Sequence, residues 1–563
     1  QGAAIVNRAN LDAWGARPGG DLIKIAGIMA KLALFERNEE KFQKAVNAMA
    51  GEIKIAEGRG LQPDMSFQHR KDEVISTLSY GKGYAHAFAR WIPRLAGTSY
   101  QFPKRAMELL IDFYLDGICQ SMIYGKYMDP GAKNRSITRR STLSPAGPEI
   151  PQKLLQGSDY RNDELKRIVR IRQGEQEPEL KKTWFFWQSE YFSHQRTDYF
   201  TSVRMFSSRN HNIEVPYNSE GLKNHHYADG SNFISRTGDE YKDIFPVWDW
   251  QKIPGTTVVQ KPSLPNPDEI QKKGLTGFVG AVTDGNYGAA CFDFKSPHDP
   301  LRARKAWFFF DKQWVCLGAG IQSEAEFPVY TTLNQCLLKD EVFVQRDNKK
   351  EKITPGKHVL KDISWVYHDH IAYLFAAPTK VHLANTDLTG SWREINRQAW
   401  ATGEKIRKEV FQLYLDHGSN PGGASYAYTV IPSIELAEMV QYEKQDETKI
   451  IANTKKVQAV KHQQLNLAQI VFYQPGKISV TEEMEVQARQ PGLIMIQYEG
   501  EDMKRLTVAD PARKQDFFEV WINQPLEGSG ENWQTEWLPE EKHSRIHIDL
   551  PSGEYAGKSV AVE

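Results

Sequence analysis

Net charge is missing from this 563-residue chain, in which Lys and Arg number 71 and Asp and Glu also number 71. Domains that work on nucleic acid carry a strong basic excess, so bulk nucleic-acid binding is excluded as the expected function. Long apolar runs are missing too. No stretch approaches the roughly 20 residues that a membrane span needs, and the first residues show no charged segment followed by an apolar one, so a soluble chain with no membrane partner is expected. Cysteines are scarce: Cys119, Cys291, Cys316 and Cys336 are widely spaced with no CxxC pair. That spacing indicates neither a zinc site nor a dense disulfide scaffold, and the four are expected to be buried thiols.

Aromatic residues, by contrast, are plentiful at 11%, with 14 Trp and 23 Tyr. Such rings serve as stacking platforms for sugars, and any single one more often packs the interior of a large β domain. The length calls for several domains. Leu22, Ile25, Ile28, Met29 and Leu32 fall at helical spacing, and helical patterns extend from Leu22 to about Ala56, from Val74 to Leu95 and from Arg105 to Ile123. From Trp184 onward, β-branched and aromatic runs such as Phe200 to Arg204 and Ala306 to Phe310 alternate with turn residues, which predicts stacked antiparallel sheets. The boundaries expected are a helical part over 1–150, a central antiparallel β-sandwich over 151–462 and a small C-terminal β domain over 463–563.

In a neutral chain, the run Arg135-Ser-Ile-Thr-Arg139 with Lys126, Lys133 and Arg140 is a local concentration of positive charge. On one helical turn the two guanidinium groups make a fork for carboxylates or sulfates, which implies an anionic ligand. Upstream stand Asp64-Met-Ser-Phe-Gln-His69 and Ser79-Tyr80-Gly-Lys-Gly-Tyr84, and downstream Asn218-Ser-Glu220 and Tyr227-Ala-Asp-Gly230. A His, a Tyr, an Arg and a Glu in that order suit removal of a weakly acidic proton from a carbon next to a carboxylate. His225-His226 suggests a metal pair, but adjacent residues on a strand face opposite sides and would not share one ion.

These motifs, together with Phe245 to Thr257, Thr389-Gly-Ser-Trp392 and Leu415-Asp-His-Gly418, resemble polysaccharide lyase family 8 over most of the chain. The resemblance implies an α+β multidomain protein, with a partial α/α toroid followed by antiparallel β-sandwich domains. It also implies β-elimination at the C4 oxygen of a uronic acid in an acidic polysaccharide such as chondroitin sulfate or hyaluronan. No cofactor is required, a structural divalent cation such as calcium is compatible, and the location is secreted or periplasmic.

On the same grounds Arg135 neutralises the uronate carboxylate, and Arg139, Lys133 and Asn218 join the substrate contacts. His69 is neutral and binds near C5, and Glu220 orients Arg135 or His69. The base is Tyr84, which follows Gly83 directly, and Tyr80 stands as its rival. Two departures from the family pattern are present. Arg17 occupies the place of an asparagine, where its charge would replace an amide as a substrate contact. Several toroid helices are also expected before this point, implying an N-terminal portion that was cleaved, removed or is carried on a separate fragment. The alternative reading is a lyase-like module that has lost catalysis and only binds acidic polysaccharide.

Overall fold

The computed structural model describes residues 20–445 and 447–562, together with residue 11. The chain divides into two compact units: one takes in the described residues up to Lys133 with Ser144–Glu179, the other Asn134–Leu143 with the chain from Leu180 onward.

The first unit is helical. Helix Gly20–Phe35 buries Ile23, Ala26, Ala30 and Ala33, the three-and-four spacing that gives an α-helix one apolar face. Helix Glu39–Ala50 begins where the Asn38 side chain accepts the Lys41 N–H at 2.9 Å, and Glu39 and Glu40 place negative charge at the positive end of its dipole. The pattern read from Val74 to Leu95 is realised in three pieces. A wide π-type turn over Thr77–Gly81 runs into helix Lys82–Ala89, and a short helix, Ile92–Leu95, follows with Pro93 in its first turn. Gly81 has to be glycine, since a Cβ there would lie 2.9 Å from the Phe67 Cβ.

Helices Glu149–Leu154 and Asn162–Gln173 also belong to this unit, so helical structure continues beyond the expected boundary at 150. The reason is packing. Asn162–Gln173 buries Leu165, Ile168 and Ile171, and its Arg172 donates to the Gly125 carbonyl at 2.8 Å and to the Tyr114 hydroxyl.

The second unit is built from antiparallel sheets. Lys182–Phe186, Tyr191–Gln195, Phe200–Arg204 and Ser231–Ser235 form a four-stranded sheet in that order. A 12-stranded sheet follows. Two six-stranded sheets then face each other across a core that joins Ile470, Ile494 and Val508 of one to Val486, Val520 and Ile546 of the other. Strand Phe517–Ile522 shows why: Phe518, Val520 and Ile522 point inward while the residues between them face out. Thr448–Asn453 and Val457–His462 pair into the first of these sheets, so the C-terminal domain begins earlier than the expected 463. A helical part followed by antiparallel sheets is thus the fold class expected from the sequence. The four cysteines are buried and unpaired with one another, as expected.

Candidate active site

The motif around Asp64 builds a tight turn. Asp64 is fully buried and accepts the Ser66 N–H at 2.9 Å and the Ser66 hydroxyl at 2.7 Å, closing the hairpin that pairs Gly60–Leu61 with Phe67–Gln68. The second hairpin strand is tied to the π-type turn: Phe67 N–H donates to Thr77 Oγ1 at 3.0 Å, and Ser76 N–H donates to the Phe67 carbonyl at 2.6 Å. This lacing brings His69 beside Tyr80. Their rings stack with centroids 3.4 Å apart and planes 9° from parallel, and the Arg70 guanidinium carbon lies 5.9 Å from the Tyr80 centroid.

His69, Tyr80 and Tyr84 all line a cavity of about 310 Å³ within the first unit, and Lys24, Lys54 and Arg59 also border it. Volumes of this order suit small-ligand sites. A wide turn of this kind inside a helical stretch is a common way to present a functional side chain.

Tyr84, expected from the sequence to be the base, is placed differently. It is 4% exposed, it packs against Phe67, Phe88 and Phe113, and its hydroxyl donates to the Glu52 carbonyl at 2.6 Å. Burial, reinforced by the Glu52 charge, pushes its phenol well above the usual tyrosine range. A phenol held neutral and already committed as a donor is poorly suited to accept a proton, whereas its rival Tyr80 stands beside His69.

The basic fork is a short 3-10 turn, Asn134–Thr138, rather than an α-helical one. Its two arginines converge on a carboxylate of the protein itself. Arg139 grips Glu220 with Nε to Oε1 at 2.8 Å and Nη2 to Oε2 at 2.7 Å, and Arg135 Nη1 reaches Glu220 Oε2 at 2.8 Å. Arg135 also approaches Glu214 at 3.1 Å and donates to the Tyr217 carbonyl at 2.8 Å. Glu220, expected to orient Arg135 or His69, accepts from Arg135 and Arg139; Glu214 gave no signal in the sequence.

The solvent-facing group is Arg139, whose side chain is 49% exposed against 5% for Arg135. Two internal carboxylates and a carbonyl surround Arg135, the residue expected to meet the substrate carboxylate, which leaves Arg139 the more accessible of the two cations. Gly221 makes this approach feasible. Its φ is +78°, and a Cβ would lie 2.8 Å from the Arg135 Cβ.

Of the remaining expected contacts, Asn218 is exposed and its carbonyl accepts from the Gln398 amide, whereas Lys133 is buried. Arg17 lies outside the described residues. His225 and His226 sit in a 3-10 turn, Asn224–His226, and not on a strand, with ring centroids 6.4 Å apart. Among the described residues no group of His, Cys, Asp and Glu is placed to hold a metal ion.

Comparison with known proteins gives three consecutive family matches. The N terminal alpha-helical domain of polysaccharide lyase family 8 matches residues 7–181, its super-sandwich domain 181–443 and its C-terminal beta-sandwich domain 449–517. The chain is 32% identical over 518 residues to a chondroitinase-AC of Pedobacter heparinus, covering 90% of this chain and 69% of that one. It is 25% identical to a hyaluronate lyase of Thermasporomyces composti, covering 84% of this chain and 65% of that one. A solved chondroitinase AC lyase from a study of enzyme–oligosaccharide complexes superposes with a TM-score of 0.86 at 29% identity, covering 97% of this chain and 78% of that one.

Proposed function

The chain belongs to polysaccharide lyase family 8, and from that premise we propose that it cleaves a uronate-containing glycosaminoglycan, chondroitin sulfate or hyaluronan, by β-elimination. In this reaction the C5 proton of the uronate leaves to a base, the electron pair forms a C4–C5 double bond, and the C4–O bond breaks. The departing oxygen takes up a proton, so water is not consumed and no cofactor takes part. The new chain end is a 4,5-unsaturated uronate.

The His69–Tyr80 stack in its cavity is the observation that carries this reading. Tyr80 is the proposed base and, on the return, the acid that protonates the leaving oxygen. As a phenolate its oxygen takes the C5 proton, and as a phenol it hands that proton to the leaving oxygen, so the elimination ends in the protonation state it started from. His69, flat against the Tyr80 ring, is the proposed partner at C5. The Arg70 guanidinium over the same ring supplies positive charge beside the phenolate form that takes the proton.

Arg139 is the proposed contact for the polyanion. Glu220 holds it in a bidentate grip that fixes the guanidinium plane while half of the side chain stays in solvent. Arg135 is a positioning residue in this scheme: it balances Glu214 and Glu220 and so fixes the carboxylate that fixes Arg139.

The test is ultraviolet absorbance during incubation with chondroitin sulfate, hyaluronan, alginate and xanthan. A rise with chondroitin sulfate or hyaluronan is expected, because elimination creates a conjugated uronate. Binding of these chains with no rise on any substrate would leave a lyase-like binding module in place of an enzyme.

A further inference from the structure

In the second unit, the stretch from Trp392 to Gln398 is laced to the loop that carries Glu220. The N–H groups of Gly221 and Leu222 donate to the Ile395 carbonyl at 3.2 and 3.1 Å, and Arg397 N–H donates to the Ser219 carbonyl at 2.8 Å. Asn396 pairs with Glu220 as an antiparallel bridge and donates its amide to the Thr138 carbonyl at 3.2 Å. Arg139, Glu220 and Arg397 therefore stand on one hydrogen-bonded wall.

Beside this wall opens a cavity of about 430 Å³, bordered by Trp248, Trp250, Pro265, Lys223, Glu394 and Arg397. Its floor is rigid: Trp248 and Trp250 are buried edge to face with centroids 5.4 Å apart, and the Trp248 indole donates to the Gln335 carbonyl at 3.2 Å. Most charges at its border are already balanced. Lys223 pairs with Glu394 at 2.9 Å, and Asp249 pairs with Lys252. Arg397 differs, since its backbone is fixed while its exposed guanidinium has no carboxylate partner among the described residues.

We propose that this cavity is a saccharide subsite for a hexosamine of the polyanion that Arg139 contacts, and that Arg397 binds a sulfate ester on that sugar. The inference rests on the function proposed above and names the substrate class more narrowly. In a chain alternating uronate with hexosamine, the hexosamine carries no carboxylate, so an anion on it is a sulfate. A guanidinium fork matches two sulfate oxygens as it matches a carboxylate. Balanced neighbouring charges keep the cavity from attracting polyanions indiscriminately, and the single unbalanced cation selects the anionic substituent.

The experiment measures calorimetric binding of size-matched sulfated and unsulfated chondroitin oligosaccharides to the full chain and to its Arg397→Ala and Arg397→Lys variants. Arg397→Ala is expected to weaken the sulfated ligand about tenfold more than the unsulfated one, as loss of a charge-assisted hydrogen bond implies. Arg397→Lys should restore part of the difference. Equal weakening of both ligands, no weakening of either, or no binding of the sulfated oligosaccharide by the unaltered chain would overturn the subsite. Formation of unsaturated product is recorded separately: its absence would sink the lyase reading, while the ratio of the two affinities would still decide whether Arg397 recognises sulfate.

Discussion

Tyr80 lies face to face with His69, ring centroids 3.4 Å apart, while Tyr84, one helical turn further on, spends its hydroxyl on the Glu52 carbonyl. The two tyrosines therefore part in their responses to loss of the hydroxyl. Tyr80→Phe should cut turnover at least about 100-fold with little change in the unfolding midpoint. Tyr84→Phe should retain turnover and lose about 0.5–1.5 kcal/mol of stability, because the Glu52 carbonyl, on a half-buried residue, loses its hydroxyl donor. Steady-state kinetics and denaturant unfolding of both variants separate the two effects.

Arg135 and Arg139 should divide along the same line. Arg135→Met leaves Glu214 and Glu220 facing each other in a buried place, and a loss of about 3–5 kcal/mol in urea unfolding is expected. Arg139→Ala removes a half-exposed cation, and the expected result is a raised KM that grows less marked as salt is added, with a near-normal unfolding midpoint.

Gly221→Ala tests how tightly the Glu220 loop must approach the arginines. Positive φ and a Cβ at 2.8 Å from the Arg135 Cβ act together, so more than about 1 kcal/mol of destabilisation is expected. Substrate binding should weaken with it, since Glu220 is the next residue.

Acid should destabilise the second unit through its histidines. Burial holds His225 down to about 4, and burial with the neighbouring His226 and His225 holds His298 down to about 3. Between these values and the 6.5 of an exposed imidazole, the unfolded chain binds more protons than the native one. Their contribution to stability is therefore complete above about pH 6.5 and is lost as the pH falls toward 4 and then 3. Melting temperatures across that window should fall, and the fall should be shallower in His298→Asn.

Much of the architecture was legible because it follows from local spacing. The spacing of Leu22, Ile25, Met29 and Leu32 marked a helix, although the face it buries is that of Ile23, Ala26 and Ala30, and the run from Phe200 to Arg204 is a strand from end to end. The Asp64 motif was likewise readable, and of the two partners the sequence offered Glu220, Arg135 or His69, the structure pairs it with Arg135. What stayed hidden depends on partners distant in the chain. Tyr80 and Tyr84 border the same cavity, and what separates them, the Phe67 and Phe113 packing and the Glu52 carbonyl around Tyr84 against the His69 ring on Tyr80, is set by partners distant in the chain and by a π-type turn that shifts the helical phase. The basic run looked ready for an external anion, yet Glu214 and Glu220 occupy Arg135 from a different part of the sequence. His225 and His226 were read on a strand, but the short turn they adopt follows from the packing of residues 224–230.

The most direct test is the ultraviolet progress curve of the unaltered chain and of Tyr80→Phe on chondroitin sulfate, with saccharide binding measured on the same samples. The account predicts a steady absorbance rise for the unaltered chain, and for Tyr80→Phe a flat trace with binding retained. An undiminished rise in Tyr80→Phe would contradict it.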